Sequence, residues 1–251
     1  MSATTPPAPS SDDWDSFAPP PAGTHPPLDA PEYGSTARRH PTRPLVVLDP
    51  ATADGTQLTG PVFGDDAVQA GDDDLTVGPD GEAVGQRIVL TGRLLDASGR
   101  PIPSSLIEIW QANASGRYRH QGDQWPGSLD PNFTGGGRTL TDDDGTYRFT
   151  TIRPGAYPWG NHPNAWRPAH IHVSVFGRSF TQRLVTQMYF PDDPLFFQDP
   201  IFNAVPDPAA RARLVARYDH DVTEASWALG FRFDVVVRGP AATPFEGSDH
   251  A

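Results

Sequence analysis

The chain of 251 residues contains no cysteine. That absence excludes disulfides, zinc–thiolate sites and iron–sulfur clusters, so any metal must be held by nitrogen or oxygen donors. Basic residues are in deficit: 19 Lys plus Arg stand against 31 Asp plus Glu, a formal charge of −12. Binding a phosphate backbone needs a basic surface, so nucleic acid is not an expected partner. No apolar run approaches the ~18 residues of a membrane-spanning helix. The first twenty residues lack the basic start and apolar core of a secretory signal, which makes the cytoplasm the expected location.

What is abundant is glycine and proline, 24 and 29 residues, about a fifth of the chain against an average nearer 12%. This level argues against a helical bundle and for short elements joined by turns. The prolines are uneven, with 12 of the 29 in residues 1–50. Residues 1–31 carry few branched apolar side chains and cannot bury enough surface to offset their ordering entropy, so the stretch reads as an extended arm. The expected division is an arm over 1–44, flexible or lying along a partner chain, and a folded domain over 45–251. Short apolar pieces at 45–48 and 61–63 sit among acidic turns such as Asp72-Asp73-Asp74, a solvated face.

From residue 87 the pattern sharpens. Strands are expected over 88–95, 106–110, 147–151, 169–176 and 183–190, with a last one alternating through Phe231, Phe233, Val235 and Val237. Asp96-Ala97-Ser98-Gly99 and Asp142-Asp143-Asp144-Gly145 are turn chemistry. One helix is expected over 208–218, with Asp207 as N-cap and Pro208 at its first position. Many short strands and one late helix predict an all-β sandwich of mixed strands with long loops. Fold class alone does not give function.

The residues that could carry chemistry are histidines and tyrosines. His170 and His172 alternate with Ile171 and Val173, so a strand puts both imidazoles on one face and the aliphatic pair on the other. Two neutral imidazoles at i and i+2 on a rigid strand form half of a metal site, although a stacked pair without ligand role has the same spacing. Pro158 holds Tyr157 extended, and Tyr118 follows the strand at 106–110. A tyrosine, with its pKa near 10, must lose its proton to ligate, which a strongly Lewis-acidic cation permits at neutral pH. Taken singly, each tyrosine reads as a packed ring with a hydrogen-bonded hydroxyl rather than as a ligand, and spacing picks neither out of the six.

Several separated motifs, in one order, resolve the ambiguity. They are Ile109-Trp110-Gln111-Ala112-Asn113, Gly116-Arg117-Tyr118-Arg119-His120, Leu129-Asp130-Pro131-Asn132-Phe133, Tyr157-Pro158-Trp159, Trp166-Arg167-Pro168-Ala169-His170-Ile171-His172 and Gln187-Met188-Tyr189-Phe190. The chain from about 33 to 246 resembles the intradiol ring-cleaving dioxygenases. The resemblance implies a mononuclear, non-haem Fe(III) held by Tyr118, Tyr157, His170 and His172, with Tyr157 axial opposite His172 and Tyr118 and His170 equatorial. It implies cleavage of a catecholic aromatic acid, protocatechuate (3,4-dihydroxybenzoate), with O2, both oxygen atoms entering the muconate product. Tyr157 would accept a substrate proton and Arg167 would stabilise charge on the activated ring. Gln187 would shape the far side of the pocket, Trp110 and Trp159 would wall it, and Tyr33, with Arg38 and Arg39 nearby, would belong to its N-terminal side. His120 and His162 lie near the ligands in sequence, but the family motif does not use them.

Catechol and hydroxyquinol 1,2-dioxygenases share the four ligands but carry a helical N-terminal segment, where this chain is rich in helix-breaking proline. The resemblance therefore favours the two-chain type, an α/β hetero-oligomer in which the iron-bearing chain pairs with a related α chain lacking the metal. Val89 to Pro103 and the stretch from Thr141 to Phe149 also resemble non-catalytic sandwich modules. Such modules have no reason to keep two tyrosines and two histidines.

Overall fold

Period-two alternation builds most of the molecule, as the computed structural model describes it for residues 19–27, 29–34, 36, 68–159, 165–177 and 183–245. Arg38, Arg39, His162 and the apolar pieces at 45–48 and 61–63 lie outside the described residues. The strands are β1 (Val77–Gly78), β2 (Gly81–Glu82), β3 (Arg87–Leu95), β4 (Leu106–Trp110), β5 (Gly136–Leu140), β6 (Thr146–Ile152), β7 (Tyr157–Trp159), β8 (Ala165–Arg167), β9 (His170–Phe176) and β10 (Arg183–Tyr189). After two short helices, α1 (Pro200–Asn203) and α2 (Pro208–Ala212), come β11 (Arg217–Tyr218), β12 (Leu229–Arg232) and β13 (Val235–Val236).

Two sheets face each other. One is antiparallel, in the order β10-β9-β4-β5. The other centres on β3, which pairs antiparallel with β6 and parallel with β12 and β13. A strand covered on both faces should be apolar almost throughout, and β3 reads Ile-Val-Leu-Thr-Gly-Arg-Leu-Leu after its first residue. Ile88, Leu90 and Leu94 of β3 and Phe149 of β6 join Ile107 and Ile109 of β4 and Ile171 and Val173 of β9 in one buried cluster. Each such side chain contributes about 1.5–3 kcal/mol on removal from water. Gly92 has to be glycine, because a Cβ there would collide with the Phe233 carbonyl oxygen. That same carbonyl accepts a hydrogen bond from the buried Tyr147 hydroxyl.

Burying Ile171 and Val173 turns His170 and His172 to the opposite face of β9, as the alternation predicts. Three expectations change. The helix expected over 208–218 stops at Ala212, although Asp207 does cap it, accepting from the Ala209 and Ala210 amides at 3.0 and 3.1 Å. The chain then has to extend so that Ala216 can donate to the Tyr189 carbonyl at 2.8 Å. The last strand is broken into β12 and β13, because Phe233 leaves the pairing where its carbonyl meets Tyr147 and its amide donates to Thr91 at 2.8 Å. Helix α1 was not foreshadowed by any apolar period. Asp199 caps it, accepting from the Ile201 amide at 3.1 Å.

The described part of the N-terminal arm packs on its own chain. Gly23 accepts from the Asp207 amide at 3.0 Å, the His25 ring lies 4.0 Å from that of Phe245, and Tyr33 lies 5.2 Å from Trp159. Among the described residues no helix is long and apolar enough to cross a membrane.

Candidate metal centre

Four elements meet where the candidate ligands lie. Strand β9 supplies His170 and His172 and pairs with β10, which sets Tyr189 opposite His170 and Gln187 opposite His172. On its other side Trp110 of β4 is opposite His172, and their rings stack at 4.8 Å with an interplanar angle of 4°. The ribbon of β7 and β8 sets Tyr157 opposite Arg167; Pro158 thus holds Tyr157 extended, as expected. Tyr118 comes from the loop after β4.

Two glycines let the tyrosine-bearing loops touch backbone to backbone. Gly116 has φ +76°, and a Cβ there would strike the Ala156 carbonyl oxygen. A Cβ on Gly155 would lie 2.5 Å from the Ala114 carbonyl oxygen, and the Gly155 amide donates to Asn113 O at 2.9 Å. Asp123 completes the frame, accepting from the Tyr118 amide at 2.7 Å and the Trp125 amide at 2.8 Å.

The result is a cluster of four donor atoms. Tyr118 Oη is 3.4 Å from His170 Nε2, 3.2 Å from His172 Nε2 and 3.5 Å from Tyr157 Oη, and Tyr157 Oη is 3.4 Å from His170 Nε2. Neighbouring ligands about 2.0–2.1 Å from one ion are separated by roughly 2.9 Å at 90° and roughly 3.6 Å at 120°, so these separations fit a shared metal. Among the described residues no three of His, Cys, Asp and Glu gather into such a site. The cluster could hold a metal only with tyrosine oxygen as a donor.

Electrostatics suit the same reading. Burial, reinforced by the neighbouring Arg167, holds His170 well below the usual imidazole pKa. Burial, then His170 and Arg167, do the same for His172. Both rings are therefore neutral, with lone pairs available. His170 Nδ1 lies 2.7 Å from the Pro168 carbonyl and must carry the proton there, which leaves Nε2 unprotonated with its lone pair turned to the cluster. Burial, with Tyr157 beside it, raises the Tyr118 phenol well above its usual value. Tyr118 is thus a phenol without a cation and becomes a phenolate only by releasing its proton to make room for one.

Arg167 is not a surface ion pair: it is 3% exposed, and its partner Asp199 is 0% exposed. Its Nε and Nη2 donate to Asp199 Oδ1 and Oδ2 at 3.3 and 2.9 Å. Nη2 also donates to Gln187 Oε1 at 2.5 Å and Tyr189 Oη at 3.0 Å, and Nη1 lies 3.0 Å from His170 Nε2. Burial alone would lower the guanidinium pKa, but Asp199 reverses this and raises it, so the charge persists. Gln187 is likewise buried rather than a strand-end amide, and it is tied to Arg167. It borders a small second cavity with Tyr189 and Ile201.

Tyr118 and Tyr157 open on a cleft of about 1190 Å³, walled by Trp110 and Trp159 with Trp125 and Trp166 farther along. Tyr33 reaches this wall through Trp159. His120 also borders the cleft, with its Nδ1 accepting from the Gly122 amide at 3.0 Å. Sequence reasoning missed Asp123, Tyr189 and Asp199. Tyr189 did carry a signal, since it lies two residues from Gln187 on one strand face; Asp199 carried only its helix-capping pattern.

Residues 58–239 match the dioxygenase family, and residues 17–51 match the family described as protocatechuate 3,4-dioxygenase beta subunit N terminal. The chain is 51% identical to the protocatechuate 3,4-dioxygenase beta chain of Burkholderia cepacia, over 89% of this chain and 94% of that one. It is 31% identical to the alpha chain of Pseudomonas putida protocatechuate 3,4-dioxygenase, over 64% of this chain and 75% of that one. The crystal structure of 3-chlorocatechol 1,2-dioxygenase from Rhodococcus opacus 1CP shares the fold with a TM-score of 0.52 at 25% identity, over 70% of this chain and 69% of that one. The β-sandwich, its site motifs and these similarities together establish that the chain belongs to the intradiol ring-cleaving dioxygenase family.

Proposed function

We propose that this chain is the metal-bearing β chain of a two-chain protocatechuate 3,4-dioxygenase. It holds one non-haem ferric ion on Tyr118, Tyr157, His170 and His172 and opens the ring of 3,4-dihydroxybenzoate with O2 to 3-carboxy-cis,cis-muconate. The observation that carries the reading is the convergence of the four donor atoms at 3.2–3.5 Å. Phenolates are hard donors and suit a ferric ion. The match at 17–51 to a beta-subunit N-terminal family and the separate similarity to an alpha chain support an α/β assembly. The same reading divides the chain into an N-terminal arm over 1–44 and a catalytic domain over 45–251.

The ferric ion, when bound, supplies the Lewis acidity that lets a coordinated catecholate react with O2. The chain's own residues do the rest. His170 and His172 remain neutral and fixed, His170 by its Pro168 contact and His172 by stacking on Trp110. Tyr157 Oη, at the cleft, takes the proton of the substrate's second hydroxyl. Arg167 holds a permanent positive charge 3.0 Å from a ligand atom, a preorganised stabiliser for negative charge building on the ring. Trp110 and Trp159 wall the cleft against water, Tyr33 backs Trp159 from behind, and Gln187 acts through Arg167.

The test is co-expression with the related α chain, followed by oxygen uptake with 3,4-dihydroxybenzoate and with catechol. The expected result is uptake by the pair on 3,4-dihydroxybenzoate. Catechol-driven uptake by this chain alone would overturn the two-chain reading.

A further inference from the structure

A guanidinium has two edges that can be gripped, Nε–Nη2 and Nη1–Nη2, and here the first is held at both ends. Asp199 takes the Nε–Nη2 edge side-on through two carboxylate oxygens. Gln187 and Tyr189 meet Nη2 again, and the Tyr189 hydroxyl donates onward to Gln187 Oε1 at 2.9 Å. Nη1 is left facing inward on His170 Nε2, the lone pair that a metal would take. Asp199 is itself fixed, because the Oδ1 that meets Arg167 also accepts from the Ile201 amide. Asn203 Nδ2 donates to the Asp199 carbonyl at 2.8 Å.

We infer that Asp199 is a positioning residue for the reaction: seated at the start of α1, it locks the Nε–Nη2 edge of Arg167 so that Nη1 points at the metal cluster and the substrate bound there. The inference rests on the proposed role of Arg167 and assigns its aim to a residue outside the ligand motifs. Tyr189 and Gln187 form the second half of the clamp. Because Asp199 neutralises the buried guanidinium, two uncharged imidazoles can lie beside it without the site carrying a net buried charge.

The experiment uses Asp199→Asn, because asparagine caps a helix as well as aspartate and keeps one oxygen for the Ile201 amide, while it removes the charge and the second acceptor that grips the guanidinium. In the iron-loaded α/β enzyme the variant loses about 10²-fold in kcat with KM little changed, the cost of a misaimed group. In an Arg167→Lys background the same change causes no further loss, because the two residues act as one unit. Asp207→Asn, at the cap of α2, is the control and leaves kcat unchanged. A second readout needs neither metal nor substrate: in the metal-free wild type, NMR of the Arg167 guanidinium shows separate, slowly rotating Nη signals, and Asp199→Asn averages them. Averaged signals in the wild type overturn the inference. So do unchanged kcat in Asp199→Asn or additive losses with Arg167→Lys. If Asp199→Asn does not fold, the wild-type spectrum decides alone. If the wild type takes up no oxygen, the catalytic reading fails while the spectrum still decides the clamp.

Discussion

Gly116 and Gly99 form a matched pair for testing how the tyrosines are brought together. Their backbones are equally unusual, with φ +76° and +77°, but their surroundings differ. Nothing lies within 4 Å of a Cβ built on Gly99, whereas one on Gly116 meets the Ala156 carbonyl oxygen and comes within 3.1 Å of Tyr157 Cβ. Replacement by alanine at either site costs about 1 kcal/mol for the left-handed backbone. At Gly116 the collision adds about 1–3 kcal/mol. In a chain of this size each kcal/mol lowers Tm by about 2–4 °C. Gly99→Ala should therefore lose a few degrees and keep its metal. Gly116→Ala should melt lower still, because Ala156 can give way only by carrying Tyr157 with it. That movement opens the 3.5 Å gap between Tyr118 and Tyr157, so metal content falls as well. The assay is thermal unfolding of the metal-free proteins with metal analysis of the loaded ones. Equal Tm losses with equal metal contents would refute the argument that this close approach assembles the site.

Two further outcomes follow from the same geometry. His170 and His172 have folded pKa values below their unfolded value, so the unfolded chain binds more protons below about pH 6.5. The metal-free protein should therefore lose stability as pH falls from about 6.5, by up to about 1.4 kcal/mol per unit for each histidine. Urea unfolding of a His170→Gln/His172→Gln variant should show a shallower loss, and parallel curves would contradict the assignment. Asp123→Ala removes the acceptor of the Tyr118 and Trp125 amides. It should cost about 1–3 kcal/mol and lower metal retention, read by the same unfolding and metal measurements; an unchanged metal content would mean the Tyr118 loop is held by other contacts.

Strands β3, β4, β6, β9 and β10 were legible because each alternates or runs apolar against a single core. The arrangement of His170 and His172 against Ile171 and Val173 followed from the same period. β5 was not legible: it opens with two glycines, and a Cβ on Gly137 would lie 2.5 Å from the Asp72 carbonyl oxygen, so close packing rather than β-propensity chose its sequence. Spacing never distinguished Tyr118 and Tyr157 from the other tyrosines. The family resemblance did, and the structure shows why they meet, through Gly116 and Gly155. The pairing of Arg167 with Asp199 joins residues 32 positions apart, and no local pattern encodes such a contact. The arm's contacts with its own chain, made by Gly23, His25 and Tyr33, were not legible either, because its proline-rich composition carries no pattern that names them.

The central claim is that two phenolates and two imidazoles hold one ferric ion, and the most direct test is the visible spectrum measured together with the iron content of the pure protein. The account predicts about one iron per chain and a red-brown tyrosinate-to-Fe(III) charge-transfer band, with the band altered or lost in both Tyr118→Phe and Tyr157→Phe. A protein that stays colourless after iron is added, or a band unchanged in both variants, would contradict it.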